Sequence, residues 1–179
     1  MNSHVSLPYR FDTSYVGTRV FKAAACLEAI LLLGLVVKLL AGNVLDALGI
    51  VVLLLLVGGL GLTIFRKAGG STGMITTSEI TVQPVTLFGF KTTAPEGRFP
   101  VAHFEAIRIE WRPRVASPGV QMSPGLNESV YLIGKAGTPD IEIARLTDES
   151  GRGLARQLGE WLALPVVEQP APGVHGTRA

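Results

Sequence analysis

The chain has 179 residues, 47% hydrophobic and 17% charged, a formal net charge of +2 and a single cysteine. That length holds a membrane element plus one small soluble domain, and not two sizeable globular units. The 16 Lys and Arg residues form no block of the kind that tracks phosphates, which excludes a nucleic-acid partner, and a lone Cys26 excludes an internal disulfide framework or a cysteine-rich metal site.

A mean hydropathy of +0.39 is high for a soluble protein, and the excess is concentrated between Ala23 and Phe65. The first 22 residues read as an N-terminal segment. The runs Ala23 to Gly42 and Ala47 to Phe65 each match a hydrocarbon core about 30 Å thick at about 1.5 Å rise per residue. Only Asn43-Val44-Leu45-Asp46 separates them, so residues 23–66 are expected to form a transmembrane helical hairpin. A cleaved signal peptide fits the first run poorly, because the run is too long, carries charges and is followed at once by a second span. Arg10, Arg19 and Lys22 precede the first run, Arg66 and Lys67 follow the second, and the turn holds no Lys or Arg. The positive-inside rule then places both termini in the cytoplasm of a cell whose inner membrane holds the two spans.

Two charges lie inside the first run. Lys38 is near enough to its outer end to snorkel to the headgroups and meet Asp46. Glu28 lies about 7 Å in from Ala23 at helical rise. With the chain reversing near Val44, Glu28 stands opposite Leu60 in Gly58-Gly59-Leu60-Gly61-Leu62-Thr63. Small residues such as Gly59 would let the helices approach, and Thr63 would donate to the carboxyl, an intramembrane polar clasp of Glu28, Thr63 and Gly59. The functional rival, a proton or ion site, is less favoured because transport sites need several polar groups and more than two helices. Cys26, at the start of the span, reads as a small buried apolar residue rather than an acylation site.

Residues 67–73 form a Gly/Ser-rich linker by composition, and a period of two then takes over. Met74 to Thr77 and Ile80 to Leu87 read as strands with a turn at Ser78-Glu79, Pro84 marking an edge or bulge. Phe88-Gly89-Phe90 is a tight bend, and Lys91 to Arg98 a strand end and loop. In Ala106 to Arg112, Ile107, Ile109 and Trp111 share one face and Arg108, Glu110 and Arg112 the other, the pattern of an antiparallel sheet with one wet side. Pro113 to Asn127 reads as a long loop. Ser129 to Gly134 and Asp140 to Leu146 form a hairpin around Lys135 to Pro139. From Asp148 to Leu164, Leu154, Leu158, Trp161 and Leu162 recur at helical spacing, with Thr147 or Asp148 as N-cap and Pro165 as the stop. The last stretch, 167–179, is Pro/Gly-rich and predicted to be disordered.

The strand opening Ile75-Thr-Thr-Ser-Glu-Ile-Thr-Val, the segment Phe99-Pro-Val-Ala-His-Phe-Glu-Ala-Ile, Val130-Tyr-Leu-Ile-Gly and the closing Ala155-Arg-Gln-Leu-Gly-Glu-Trp-Leu-Ala-Leu-Pro resemble the bacterial membrane-anchored PH-like (pleckstrin-homology-like) domains. The resemblance covers residues 74–166. It implies an α+β fold behind the two transmembrane helices, an antiparallel barrel or sheet capped by a C-terminal amphipathic helix. It also implies a role in assembly or scaffolding at the membrane. The long loop from Pro113 departs from the compact form.

No residues suggest a catalytic, cofactor or metal site. His4 and His175 lie in the tails and His103 stands alone, Gly69-Gly70-Ser71-Thr72-Gly73 lacks the Lys-Ser/Thr ending of a phosphate loop, and there is no G-x-S-x-G. Arg108, Arg112 and Arg114 form a candidate anionic-lipid face, weighed against an ordinary surface of mixed charge offset by Glu105 and Glu110. The expected function is a non-enzymatic, membrane-anchored interaction or scaffold module, with membrane lipids and a membrane-protein partner or a second copy as partners. An anionic-lipid sensor is the alternative, and an ion carrier using Glu28 the least supported.

Overall fold

In a computed structural model that describes residues 7–113, 126–146 and 150–170, a short strand β1 (Tyr9–Asp12) precedes two long helices, α1 (Tyr15–Leu40) and α2 (Val44–Ala68). The strands β2 (Ser71–Ile75), β3 (Glu79–Pro84), β4 (Thr86–Leu87), β5 (Phe90–Lys91), β6 (Gly97–Pro100), β7 (Phe104–Pro113), β8 (Leu126–Gly134) and β9 (Ile141–Leu146) follow. Helix α3 (Gly151–Leu162) and strand β10 (Val166–Pro170) end the described chain. The architecture is a helical hairpin plus an α+β unit with mostly antiparallel sheets. The hairpin unit holds Ser14–Gly70 and Pro84–Ala94, and the sheet unit holds Met1–Thr13, Ser71–Gln83 and Pro95–Ala179.

In the helical unit, Gly17–Leu40 and Val44–Ala68 are long and apolar enough to cross a membrane. Many of their leucines, isoleucines and valines are exposed, as suits helices that meet a nonpolar solvent. The less exposed positions recur every three or four residues. On α1 they include Phe21, Ala24, Glu28, Leu31, Leu35 and Lys38, and on α2 Ala47, Ile50, Leu54, Gly58, Gly61 and Phe65. This is the spacing of a left-handed helix pair. Helix α1 begins at Tyr15 rather than Ala23, since a polar flank does not by itself end a backbone hydrogen-bond ladder. The reversal is confined to Ala41, Gly42 and Asn43, with Gly42 in the left-handed region at φ 74°, so it is centred two residues earlier than Val44. Lys38 Nζ meets Asp46 Oδ2 at 2.7 Å across it, as expected. Cys26 is exposed on α1 rather than buried.

The sheet unit contains two four-stranded sheets, ordered β1-β2-β3-β6 and β10-β7-β8-β9. Their inner faces and α3 share one core: Phe11, Ile75, Ile80 and Val82 from the first sheet, Ile107, Ile109, Val130, Leu132, Ile141 and Ile143 from the second, and Leu154, Ala155, Leu158 and Leu162 from the helix. In β7 the predicted alternation holds, with Ile107, Ile109 and Trp111 buried. The β8–β9 hairpin also forms, turning at Gly137 with φ 87°.

Four expectations change. The N-terminal segment contributes β1, antiparallel to β2 with Asp12 opposite Thr72, and Thr13 Oγ1 donates to the Ser71 carbonyl at 3.1 Å and accepts from its N–H at 2.9 Å. Ser71, Thr72 and Gly73, read as linker, belong to β2. A Cβ at Gly73 would lie 2.5 Å from the Phe11 ring, so this glycine serves close strand packing rather than flexibility. Gly97 and Arg98, read as the end of a loop, belong to β6, which pairs with β3. Val166–Pro170, read as tail, forms β10, parallel to β7 with Val166 opposite Ile107. The last two rely on pairing with partners remote in sequence, which local composition does not encode. Trp161, placed on the docking face of α3, is partly exposed. The helix starts after Ser150, while the expected caps Thr147 and Asp148 lie outside the described residues, as do 114–125 of the long loop and 171–179 of the tail.

Candidate functional site

The carboxylate within the first apolar helix is the first candidate. Glu28 is half-buried on the α1 face turned to α2, and its Oε1 occupies the space that a side chain at Gly58 would fill. The neighbouring contact is equally close, since a Cβ at Gly61 would lie 2.7 Å from the Ala24 methyl. Small residues therefore permit the approach, as expected of membrane helix pairs. The register moves the partners, however. The turn comes earlier than Val44, and the residue that faces Glu28 is Gly58 rather than Leu60.

The predicted clasp is thus only partly assembled. Thr63 Oγ1 donates to the carbonyl of Gly59 in its own helix at 2.7 Å, which satisfies the hydroxyl at an exposed position and leaves it no role at Glu28. Gly59 faces open space. Glu28 instead borders a cavity of about 210 Å³ whose walls include Phe21, Gly58, Gly61, Leu62 and Phe90. Phe21 stacks on Phe65 at 4.6 Å between ring centroids, one heptad before Glu28. The cavity is apolar except for the carboxylate. The small-residue stretch was a visible signal for Gly58 and Gly61, whereas nothing local signalled Phe90, which arrives from a hairpin 62 residues beyond Glu28 in the chain.

The second candidate is the outer face of the β7-β8-β9 sheet. Arg108 Nη2 lies 3.1 Å from Glu110 Oε1 and 3.3 Å from Asp140 Oδ2, and its guanidinium sits 5.4 Å over the Tyr131 ring. Asp140 Oδ1 also accepts from the Gly134 N–H at 3.0 Å, which holds the acid in place. Beside it Arg145 makes a two-pronged contact with Glu142, at 2.9 and 2.6 Å, and that hydrogen bond raises the Arg145 pKa. Burial first, then Glu142 and Glu110, push the Tyr131 phenol above its ordinary value. Arg108 is therefore committed to an acid-rich face of mixed sign. Arg112 lies in β7 and Arg114 lies outside the described residues.

An ionic cluster that sequence reading did not find joins β8, α3 and β10. The fully buried Glu128 accepts from the backbone N–H of Arg152 at 3.2 Å. Arg152 Nε stands 3.6 Å from Glu128 Oε1 and 3.3 Å from Glu168 Oε2. A carboxylate at the first turn of a helix suits the positive end of its dipole, and Gly151 gives it room, because a Cβ there would lie 2.6 Å from Glu128 Oε2. Among the described residues no three His, Cys, Asp or Glu side chains converge as a metal site would require.

Comparison with protein-family models, curated proteins and solved structures finds no match to this chain.

Proposed function

We propose that the chain is a membrane-anchored, non-enzymatic interaction module of the inner membrane, with both termini cytoplasmic and its sheet unit offering strand edges to a membrane-protein partner. The observation that carries this reading is the path of the chain: it passes between the helical and sheet units four times, at 13/14, 70/71, 83/84 and 94/95. β2 begins three residues after α2 ends. A domain laced into its membrane helices in this way suits presentation of a surface at the bilayer better than a head on a long tether.

The edges β6 and β10 supply the docking surfaces. A terminal strand presents backbone donors and acceptors to an incoming strand, and Val167 on β10 adds an exposed apolar contact. The PH-like reading belongs to the same proposal. It is supported by antiparallel strands followed by an amphipathic helix, while β1 ahead of the hairpin and β10 after α3 are additions to that plan. A photo-crosslinking residue at Val167, compared with one at Arg156 on α3, tests the proposal in cells at native abundance. One discrete partner at Val167 and none at Arg156, recovered in stoichiometric amount from mild detergent, is the expected outcome. A chain that runs alone, with no crosslink from β6 or β10, sinks the reading.

A further inference from the structure

Besides α1 and α2, the helical unit contains the β4–β5 hairpin, whose two-residue turn is Phe88-Gly89. Both residues have positive φ, 49° and 82°. Such turns ordinarily take Asn-Gly or Asp-Gly, since a Cβ is disfavoured in the left-handed region. A phenylalanine held there, 70% exposed, with Phe90 beside it at 43%, is costly in water on two counts.

The base of the hairpin is fastened to the end of α2. The Thr93 N–H and Oγ1 both donate to the Arg66 carbonyl, at 3.0 and 2.9 Å, and Thr92 Oγ1 donates to the Gly70 carbonyl at 2.8 Å. The bonds to Arg66 satisfy a carbonyl in the last turn of α2 that has no partner within the helix, and the bond to Gly70 holds the residue just beyond its cap. From that base the hairpin runs back along the helices. Phe88 and Phe90 lie 6.1 and 5.9 Å from Phe21 between ring centroids, and Phe90 also reaches the cavity wall beside Glu28 and Gly61. Gly61 is nine residues before Gly70, about 13 Å along a helix axis.

We propose that β4–β5 is a lipid-inserted hairpin whose Phe88 and Phe90 rings occupy the headgroup–acyl boundary of the leaflet nearest the ends of the chain. This rests on the membrane reading of α1 and α2. The rings lie at the level where that surface changes character. Arg19, Lys22, Arg66 and Lys67 are exposed at the helix ends, and exposed Leu27 and Leu60 continue the apolar surface beyond them. Aromatic side chains favour this boundary, and a penetration of about 5–10 Å is characteristic of interfacial elements. The occupant is acyl chain and not protein, because the patch is continuous with the surface that the spans present to lipid.

Nitroxide labels on single cysteines in a Cys26→Ala background, reconstituted in phosphatidylcholine–phosphatidylglycerol vesicles, test the proposal by their relative accessibility to oxygen and to a water-soluble nickel chelate. The label at Phe88→Cys is expected to favour oxygen several-fold, as at lipid-facing Leu55→Cys, whereas Ala136→Cys in the β8–β9 turn reports water. Water-like behaviour at 88 with lipid-like behaviour at 55 overturns the inserted hairpin and leaves the spans intact. Water-like behaviour at both overturns the membrane reading and the hairpin with it. In a second measurement that keeps an aromatic ring at the site, Phe88→Trp gains fluorescence that brominated phosphatidylcholine quenches beyond the wild-type level. No added quenching also overturns the proposal.

Discussion

Replacing Glu128 with glutamine preserves shape and removes one charge from the seam between β8, α3 and β10. The cost follows from what the carboxylate faces. Its hydrogen bond to the Arg152 N–H is charge-assisted and worth about 1.5–3 kcal/mol, and its place at the α3 N-terminus adds about 0.3–1 kcal/mol. Removing one member of a buried pair costs about 3–5 kcal/mol when the other is left alone, but Arg152 is 27% exposed and keeps Glu168 at 3.3 Å. Glu128→Gln is therefore expected to destabilise the sheet unit by about 2–3 kcal/mol. Glu168→Gln, which alters a partly exposed pair, should cost less than about 1 kcal/mol. Both tryptophans, Trp111 and Trp161, lie in the sheet unit, so their fluorescence during urea unfolding in mild detergent reports on that unit alone. Equal midpoint shifts for the two variants, or no shift for Glu128→Gln, would refute the reasoning.

Two further outcomes are expected. Gly61→Leu forces the helices apart because it meets the Ala24 methyl, while Gly59→Leu faces open space and is tolerated. Disulfide formation between Gly34→Cys and Ile50→Cys, in a Cys26→Ala background, should fall sharply in the first case and stay at the parent level in the second. Burial raises the phenol pKa values of Tyr9 and Tyr131 above the ordinary 10.0. The folded chain then holds those protons more tightly than the unfolded chain, so their contribution is complete below pH 10.0 and lost as pH rises through the folded-state values. Tyr131→Phe should flatten the alkaline fall in the urea midpoint, and an unchanged slope would count against this cause.

Much of the plan was legible because it is written in local patterns. Apolar length marked the two long helices, alternation marked β7, β8 and β9, and the spacing of Leu154, Leu158 and Leu162 marked α3. The candidate site was legible only as residue types. Glu28 and the small residues opposite it stood out, but a turn placed too late in the chain exchanges Gly58 for Leu60 as the partner and brings Thr63 wrongly into the clasp. Arg108 stood out as a cation, while the acids that engage it come from its own strand and from Asp140, 32 residues away.

The amino-acid order alone settled which stretches seek a nonpolar solvent and which alternate between core and water, because hydrophobic periodicity depends on neighbours three or four residues away at most. Tertiary structure decided where β1, β6 and β10 belong. Residues 9–12 read as a flank until β2 pairs with them from beyond the helical hairpin, and 166–170 read as a tail until β7 provides a neighbour. Strands of this kind are stabilised by hydrogen bonds and a shared core with partners distant in the chain, so no short window contains the information that defines them.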